Sequence, residues 1–176
     1  MSKKTTGATA EREAIKRYLQ QYRVARQKKQ ILEERHRVLA NELNAPAPGS
    51  AFRTMPTSHP AKTDGAVSVV FRIAEVEERI DKQREEMAAA VLQVMDLIDL
   101  LPQNSMERTV VELRHIDCKS WERIASELYL SRSAIFNYYN NALETLLEYK
   151  RTRKLVADFV AEEKADRENQ PPKAGA

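Results

Sequence analysis

The sequence predicts an all-α protein: a long antiparallel coiled-coil helical hairpin followed by a C-terminal three-helix module of the helix-turn-helix type. Charged residues make up 31% of the 176-residue chain and aromatic residues only 6%, a composition typical of helices rather than of a β-rich fold. Apolar residues recur at alternating spacings of three and four along two long segments. The same spacing continues on both sides of a short turn within residues 121–146.

The first long helix is predicted over residues 11–43, because this segment contains neither glycine nor proline. Residues 1–10 are polar and are predicted to form a disordered N-terminus. The apolar positions of the helix form a heptad seam, which Lys29 and His36 interrupt. The apolar members of this seam are Ile15, Tyr18, Tyr22, Ala25, Leu32, Leu39 and Leu43.

A loop rich in proline is predicted over residues 44–65, and a second long helix over residues 66–101. The seam of the second helix has one polar member, Gln83, and its apolar members are Val69, Ile73, Val76, Ile80, Met87, Ala90, Val94, Leu97 and Leu101. Each helix would be about 50 Å long, at about 1.5 Å per residue. The C-terminal module is too small to cover such stripes, so residues 11–101 are predicted to form a hairpin that also serves in oligomerisation.

The second helix is apolar beyond its seam near its C-terminal end. The residues that widen the stripe there are Val91, Leu92, Met95, Ile98 and Leu100. One hairpin partner covers only one side of so broad a face, and the remainder needs another cover. The sequence therefore predicts a homodimer built on the long helices.

The three-helix module is predicted over residues 102–150, because Pro102 breaks the second long helix. Ser120 and Ser131 stand at N-cap positions on either side of a turn at Tyr129. The predicted core residues are Val110, Leu113, Ile116, Trp121, Ile124, Leu128, Leu130, Ile135, Tyr138, Ala142 and Leu146. Residues 151–176 are predicted to form a helical extension and a flexible tail.

Tyr129 occupies the position at which such turns usually place glycine. Glycine adopts a positive φ without penalty, whereas another residue there costs about 1 kcal/mol or forces a different turn. The sequence therefore predicts a turn with a local energetic cost.

The last helix of the module is predicted to present a polar outer face. The residues on it are Ser131, Arg132, Ser133, Phe136, Asn137, Asn140 and Asn141, and no acidic residue lies between Ser131 and Leu143. Such a face suits a helix that enters the major groove of double-stranded DNA. Arg132 and Asn137 are predicted to read base edges with help from Ser133, and the last two asparagines to reach phosphates or outer bases. The alternative is an ordinary helical hairpin whose outer face is merely solvated.

The segment that carries LPQNSMERTVVELRHID, KSWERIA, SRS and the closing AL resembles region four of bacterial sigma factors. It is more similar still to the ArpU/RinA-like phage transcriptional regulators, which join such a module to long N-terminal helices. This resemblance covers roughly residues 15 to 147. It implies a phage or prophage late-gene activator that acts at a promoter with RNA polymerase as a candidate partner. Tyr129 and Phe136 depart from the pattern, and the Phe136 position is generally polar in sigma factors.

Charge is unevenly distributed along the chain. Residues 1–43 contain eleven Lys and Arg against five Asp and Glu, a net charge of +6, and residues 66–101 contain four against eight, a net of −4. The basic first helix would either contact DNA phosphates or pair with the acidic second helix. The module, residues 102–150, contains six Lys and Arg against seven Asp and Glu, a net charge of −1. One copy alone is therefore expected to hold DNA weakly, which favours dimerisation or help from RNA polymerase.

No catalytic or metal chemistry is expected, and the chain is not predicted to be an enzyme. His36, His59 and His115 lack ligand spacing, and the single cysteine, Cys118, cannot complete a zinc site. With only four glycines, a phosphate-cradling glycine loop is excluded, and no cofactor is expected.

The sequence also predicts a cytoplasmic protein without a membrane span. Residues 1–10 lack the apolar core of a signal peptide. The most apolar run, residues 87–101, is interrupted by Gln93, Asp96 and Asp99 and is too short to cross a bilayer. A single cysteine excludes an internal disulfide and suits a reducing compartment.

Three functions remain open from the sequence. The first is a sequence-specific DNA-binding transcriptional regulator, which the sigma-like motifs favour. The second is the DNA-recognition small subunit of a phage packaging terminase, which also combines a helix-turn-helix with coiled helices. The third is a coiled-coil adaptor whose C-terminal module contacts protein. A regulator should protect promoter DNA and change transcript levels, a terminase subunit should bind packaging-site DNA, and an adaptor should bind neither.

Overall fold

A computed structural model describes residues 3–44 and 63–168 of the chain. Within these ranges the protein consists of six helices and contains no strand, which confirms the predicted all-α class. Most of the loop predicted over residues 44–65 lies outside the described residues, as does the predicted tail after residue 168.

The six helices follow the predicted order. They are α1 (Lys3–Asn44), α2 (Thr63–Ile98), α3 (Met106–His115), α4 (Trp121–Glu127), α5 (Arg132–Glu148) and α6 (Lys150–Glu168). Helix α1 begins at Lys3, whereas the sequence predicts disorder over residues 1–10. No proline interrupts residues 3–10, and one glycine there lowers helix stability by only about 1 kcal/mol.

Helix α6 is a separate helix rather than a continuation of α5. Tyr149 ends α5 with an extended backbone conformation, ψ 123°. Arg153 Nε then donates a hydrogen bond to the Leu147 carbonyl at 2.6 Å, and the Tyr149 hydroxyl donates to the Leu100 carbonyl at 3.1 Å. These bonds hold the break between the helices, and the buried Thr152 and Val156 then face the protein interior.

The chain forms two compact units that differ from the predicted domains. Unit 1 comprises Met1–Val24 and Ala89–Ala176, and unit 2 comprises Ala25–Ala88. The sequence assigns residues 11–101 to a hairpin domain and residues 102–150 to a separate module. In the structure the N-terminal half of α1 and the end of α2 belong to the same unit as α3–α6.

One hydrophobic core fills unit 1. Ile15 and Leu19 of α1 are fully buried and join the same cluster as Val94 of α2, Ile124 of α4 and Leu143 of α5. The ring of Tyr18 also packs edge-on against Phe159 of α6, with 5.4 Å between the ring centroids. Helix α1 thus contributes to the core that the sequence assigns to the C-terminal module alone.

Arginines of α1 form ion pairs with the C-terminal helices. Arg12 pairs with Glu144 of α5, and Arg17 Nε lies 3.2 Å from Glu163 Oε2 of α6. The sequence left open whether these basic residues pair with the acidic second helix. Among the described residues of unit 1, the partners of these two arginines lie on α5 and α6 instead.

In unit 2, parts of α1 and α2 lie side by side, and most of the predicted seam residues there are partly or fully buried. Ala25, Ile80 and the polar seam residue Gln83 are all buried. His36 Nε2 lies 2.9 Å from Glu77 Oε1 and joins the two helices. The prediction is wrong at Leu43, which is 41% exposed at the end of the seam.

The core of the C-terminal helices agrees with the predicted one in part. Of the predicted core residues, Leu113, Ile116, Leu128 and Leu130 are only partly buried and pack against its edge. Val110, Ile124, Ile135, Ala142 and Leu146 are fully buried as predicted. Tyr138 is only half-buried, and its neighbour Tyr139 takes the core position instead. Residues three and four positions after Ile135 both lie near its face of the helix, and Tyr139 is the one that packs against His115 of α3. Trp121, also predicted in the core, is half-buried at its edge.

Candidate nucleic-acid interface

Serine caps fix the start of each helix around the candidate site. The hydroxyls of Ser105, Ser120 and Ser131 accept hydrogen bonds from the backbone N–H groups of residues 108, 123 and 134, at 3.1, 3.2 and 3.2 Å. The caps predicted at Ser120 and Ser131 are therefore confirmed. A cap of this kind satisfies one of the free N–H groups of the first helical turn and contributes about 1 kcal/mol.

A tight turn joins α4 to α5. Tyr129 adopts a positive φ of 54°, which is the first of the two outcomes that the sequence left open, and its side chain is 95% exposed. The Leu130 N–H donates to the Ala125 carbonyl at 3.0 Å and closes the turn. Because the tyrosine ring makes no packing contribution here, the backbone strain at this residue is not offset by burial.

Helix α5 is buried on one face and polar on the other. The buried residues are Ile135, Tyr139, Ala142, Leu143, Leu146 and Leu147. The exposed residues include six of the seven predicted site residues, namely Ser131, Arg132, Ser133, Asn137, Asn140 and Asn141. The structure thus brings hydroxyl, guanidinium and amide groups together on one accessible surface, which we call the α5 outer face.

Phe136 is the exception among the predicted site residues. Its ring is half-buried and packs on Trp121 of α4, with 4.8 Å between the ring centroids. The Arg132 guanidinium lies over the Phe136 ring, 5.7 Å from its centroid. Phe136 is therefore not a freely exposed contact residue. It packs α5 against α4 and supports the side chain of Arg132.

Arg132 is held between an aromatic ring and a carboxylate. Its Nη1 atom lies 3.3 Å from Glu122 Oε1, and both side chains are mostly exposed. The pKa of Glu122 is lowered, mainly by a hydrogen bond from its own backbone N–H and further by the charge of Arg132. An exposed pair of this kind orients a side chain but adds little stability.

The acidic residue Glu144 lies at the C-terminal end of the α5 outer face. Glu144 lies on the turn after Asn140 and Asn141, where a bare carboxylate would repel DNA phosphates. Arg12 of α1 pairs with it. Sequence reasoning missed this pair because no local pattern relates residues so far apart in the chain.

A buried polar pair also escaped the sequence prediction. His115 Nε2 lies 3.0 Å from the Tyr139 hydroxyl, and the two rings stack with 5.7 Å between their centroids. Burial and, to a smaller extent, the nearby charge of Arg114 lower the pKa of His115 to about 3. The spacing of His115 could have indicated that it is buried, because it follows the buried Val111 by four residues on α3.

The described residues contain no cluster of three or more His, Cys, Asp or Glu side chains that could hold a metal ion. His59, one of the histidines considered from the sequence, lies outside them. Cys118 is half-buried before α4, with its Sγ atom 3.8 Å from the His115 carbonyl oxygen. In the same ranges, every helix is too short or too polar to cross a lipid bilayer.

Comparison of the chain with models of protein families, with curated proteins and with solved structures finds no significant match.

Proposed function

We propose that the protein is a sequence-specific DNA-binding transcriptional regulator that uses α4, the turn at Tyr129 and α5 as a helix-turn-helix. The observation that carries this proposal is the α5 outer face. It presents hydroxyl, guanidinium and amide groups to solvent, while the opposite face of the same helix is buried. By its resemblance to the ArpU/RinA-like regulators, the protein would be a phage or prophage late-gene activator that acts at a promoter.

Each side chain of the α5 outer face has a defined role in this proposal. Arg132 donates two hydrogen bonds to a guanine edge, and Asn137 exchanges two with an adenine edge. Such a bidentate pair discriminates against a wrong base by about 1–3 kcal/mol. Ser131 and Ser133 lie at the start of the helix, where short hydroxyls reach phosphate or a neighbouring base. Asn140 and Asn141 contact the outer part of the site.

The long helices supply the assembly in this proposal. In unit 2 they form a coiled-coil hairpin, and α2 brings two copies together as a homodimer that reads related half-sites. The dimer is supported by Leu92 and Met95, which are 62% and 46% exposed on α2. Ile98, which the sequence included in the same uncovered face, is buried in the core of unit 1. RNA polymerase is the proposed partner at the promoter.

Two measurements separate this function from its alternatives. Footprinting of the parent phage or prophage DNA with the purified protein should show protection upstream of a transcription start. Transcript mapping across the protected site, with and without the protein, should show a change in transcript level. Protection of a packaging site without any change in transcripts would indicate a terminase subunit. The absence of any protection would favour a protein adaptor.

A further inference from the structure

A basic groove runs between the two helices of unit 2. Its lining includes Lys28 and Arg35 of α1, and Arg79 and Lys82 of α2. Ile31 and Leu32 contribute apolar surface to the same groove. Four cations therefore face one depression, although acidic residues outnumber basic ones along α2 as a whole.

The cations of this groove are mostly unpaired. Arg79 pairs with Glu75 of its own helix at 2.5 Å, whereas Lys28, Arg35 and Lys82 form no ion pair with any described residue. The one carboxylate in the lining, Glu86, accepts a hydrogen bond from Gln83 at 3.0 Å. Like charges that face each other across a groove repel, so this arrangement lowers stability unless an anion neutralises it.

A second groove of unit 2 has the opposite character. Its acids are Glu33, Glu77 and Asp81. Each of them already has a cationic or histidine partner, namely Lys29 at 3.0 Å, His36 at 2.9 Å and Arg84 at 2.7 Å. The acidic groove of a second copy would therefore offer this basic groove only carboxylates that are already paired. An external anion complements it better.

We infer that this groove binds the phosphate backbone of nucleic acid and gives the protein a second, sequence-independent DNA contact. The inference rests on the proposed DNA-binding function, because it names a further part of the chain that holds the same ligand. Lys28 and Arg35 are seven residues apart on one helix, about 10 Å along its axis. The cations are thus spread along the groove as an extended polyanion requires. The C-terminal module, residues 102–150, has a net charge of −1, and this contact would supply the positive charge that it lacks.

The test compares two triple variants of the full chain that have the same net charge. The groove variant is Lys28→Gln, Arg35→Gln and Lys82→Gln. The control variant is Arg26→Gln, Arg37→Gln and Arg84→Gln, which changes three cations of unit 2 outside the groove lining. Affinity for a duplex of random sequence is measured by fluorescence anisotropy over a KCl titration. Circular dichroism confirms that both variants keep the parent helix content.

The groove variant should show a shallower dependence of log K on log salt concentration. Each lost phosphate contact reduces the slope by about 0.9, so the full effect is about 2.7. The control variant should keep the slope of the parent. Equal slopes for the groove variant and the parent would overturn the inference. So would a groove variant that keeps its DNA slope but no longer binds poly-L-glutamate, because the groove would then take an acidic protein segment.

The same titration, combined with selection of bound duplexes from a random pool by the parent, distinguishes failure of the inference from failure of the proposed function. A parent that selects one sequence, with an unchanged slope in the groove variant, supports the proposed function and rejects the groove. A parent that binds all sequences equally, with a reduced slope in the groove variant, supports the groove and rejects sequence-specific regulation. A parent that binds no DNA contradicts both.

Discussion

The imidazole of His115 is hydrogen-bonded to the hydroxyl of Tyr139 inside the core, where α3 packs against α5. His115 is 1% exposed and Tyr139 is 5% exposed. Trp121 also contacts Tyr139, with 5.0 Å between the ring centroids, and Arg114 lies 4.5 Å from the Trp121 ring centroid. The pair therefore connects the buried side of α5 to the helices that orient its outer face.

This pair should make the stability of the protein depend on pH. The folded-state pKa of His115 is about 3 and its ordinary value is 6.5, so the unfolded chain binds more protons between these values. The stabilisation is present above pH 6.5 and is lost as pH falls towards 3. The free energy of unfolding should decrease by about 2 kcal/mol between pH 7 and pH 5 from this group. Urea denaturation at both pH values measures it.

Two substitutions serve as controls for the pH effect. His115→Gln removes the titrating group and should reduce the pH dependence by the same amount. Tyr139→Phe removes the hydrogen bond but leaves the imidazole buried, so the pH dependence should remain. A His115→Gln variant with the full pH dependence of the parent would assign the effect to other groups.

Replacement of Tyr129 by glycine should stabilise the protein. The residue has a φ of 54°, and its exposed ring loses almost no burial on removal. Relief of the positive φ contributes about 1–2 kcal/mol, and the greater freedom of glycine in the unfolded chain offsets about 0.4–1 kcal/mol of this. We expect a net gain of about 0.5–1 kcal/mol in thermal or urea unfolding. Tyr129→Ala retains the strain, and an equal gain in that variant would disprove the explanation.

Truncation of Leu19 should destabilise the C-terminal helices, although this residue lies far away in the sequence. Leu19 is fully buried in the core that also contains Ile124 and Leu143. Leu19→Ala should cost about 2–5 kcal/mol. Trp121, the single tryptophan of the chain, reports unfolding of this core by its fluorescence. Val38→Ala, at a residue 49% exposed, should change stability by less than about 0.5 kcal/mol. Equal melting of the Leu19→Ala variant and the parent would show that α1 does not support this core.

Charge on the exposed apolar part of α2 should prevent dimerisation. Leu92→Glu combined with Met95→Glu places two carboxylates where the proposed homodimer buries apolar surface. Light scattering at micromolar concentration should show a dimer for the parent and a monomer for this variant. Gln93→Glu adds a charge on the same helix without removing an apolar side chain, and it should remain a dimer. A monomeric parent would eliminate the dimer proposal.

Local periodicity predicted the helices and their buried faces, because each depends on residues three and four positions apart. Ile80 and Val94 were placed correctly in this way. For Tyr129 the sequence left two outcomes open, and the structure has the positive φ rather than a different turn. The same periodicity did not reveal that Ile15 and Leu19 enter the C-terminal core, because a coiled-coil seam and a globular core have the same apolar pattern. Likewise, the choice between Tyr138 and Tyr139 depends on the position of His115 on another helix. The packing of Phe136 against Trp121 is also a contact between helices.

Sequence selection by Arg132 and Asn137 tests the central claim most directly. The full-length protein is used to select bound duplexes from a random pool, in parallel with its Arg132→Ala and Asn137→Ala variants. We expect the parent to enrich one motif. Arg132→Ala should lose preference for one guanine and Asn137→Ala for one adenine, each by about 1–3 kcal/mol, with unchanged helix content by circular dichroism. A parent that enriches no motif, or two variants that enrich the same motif as the parent, would contradict the assignment of α5 as the reading helix.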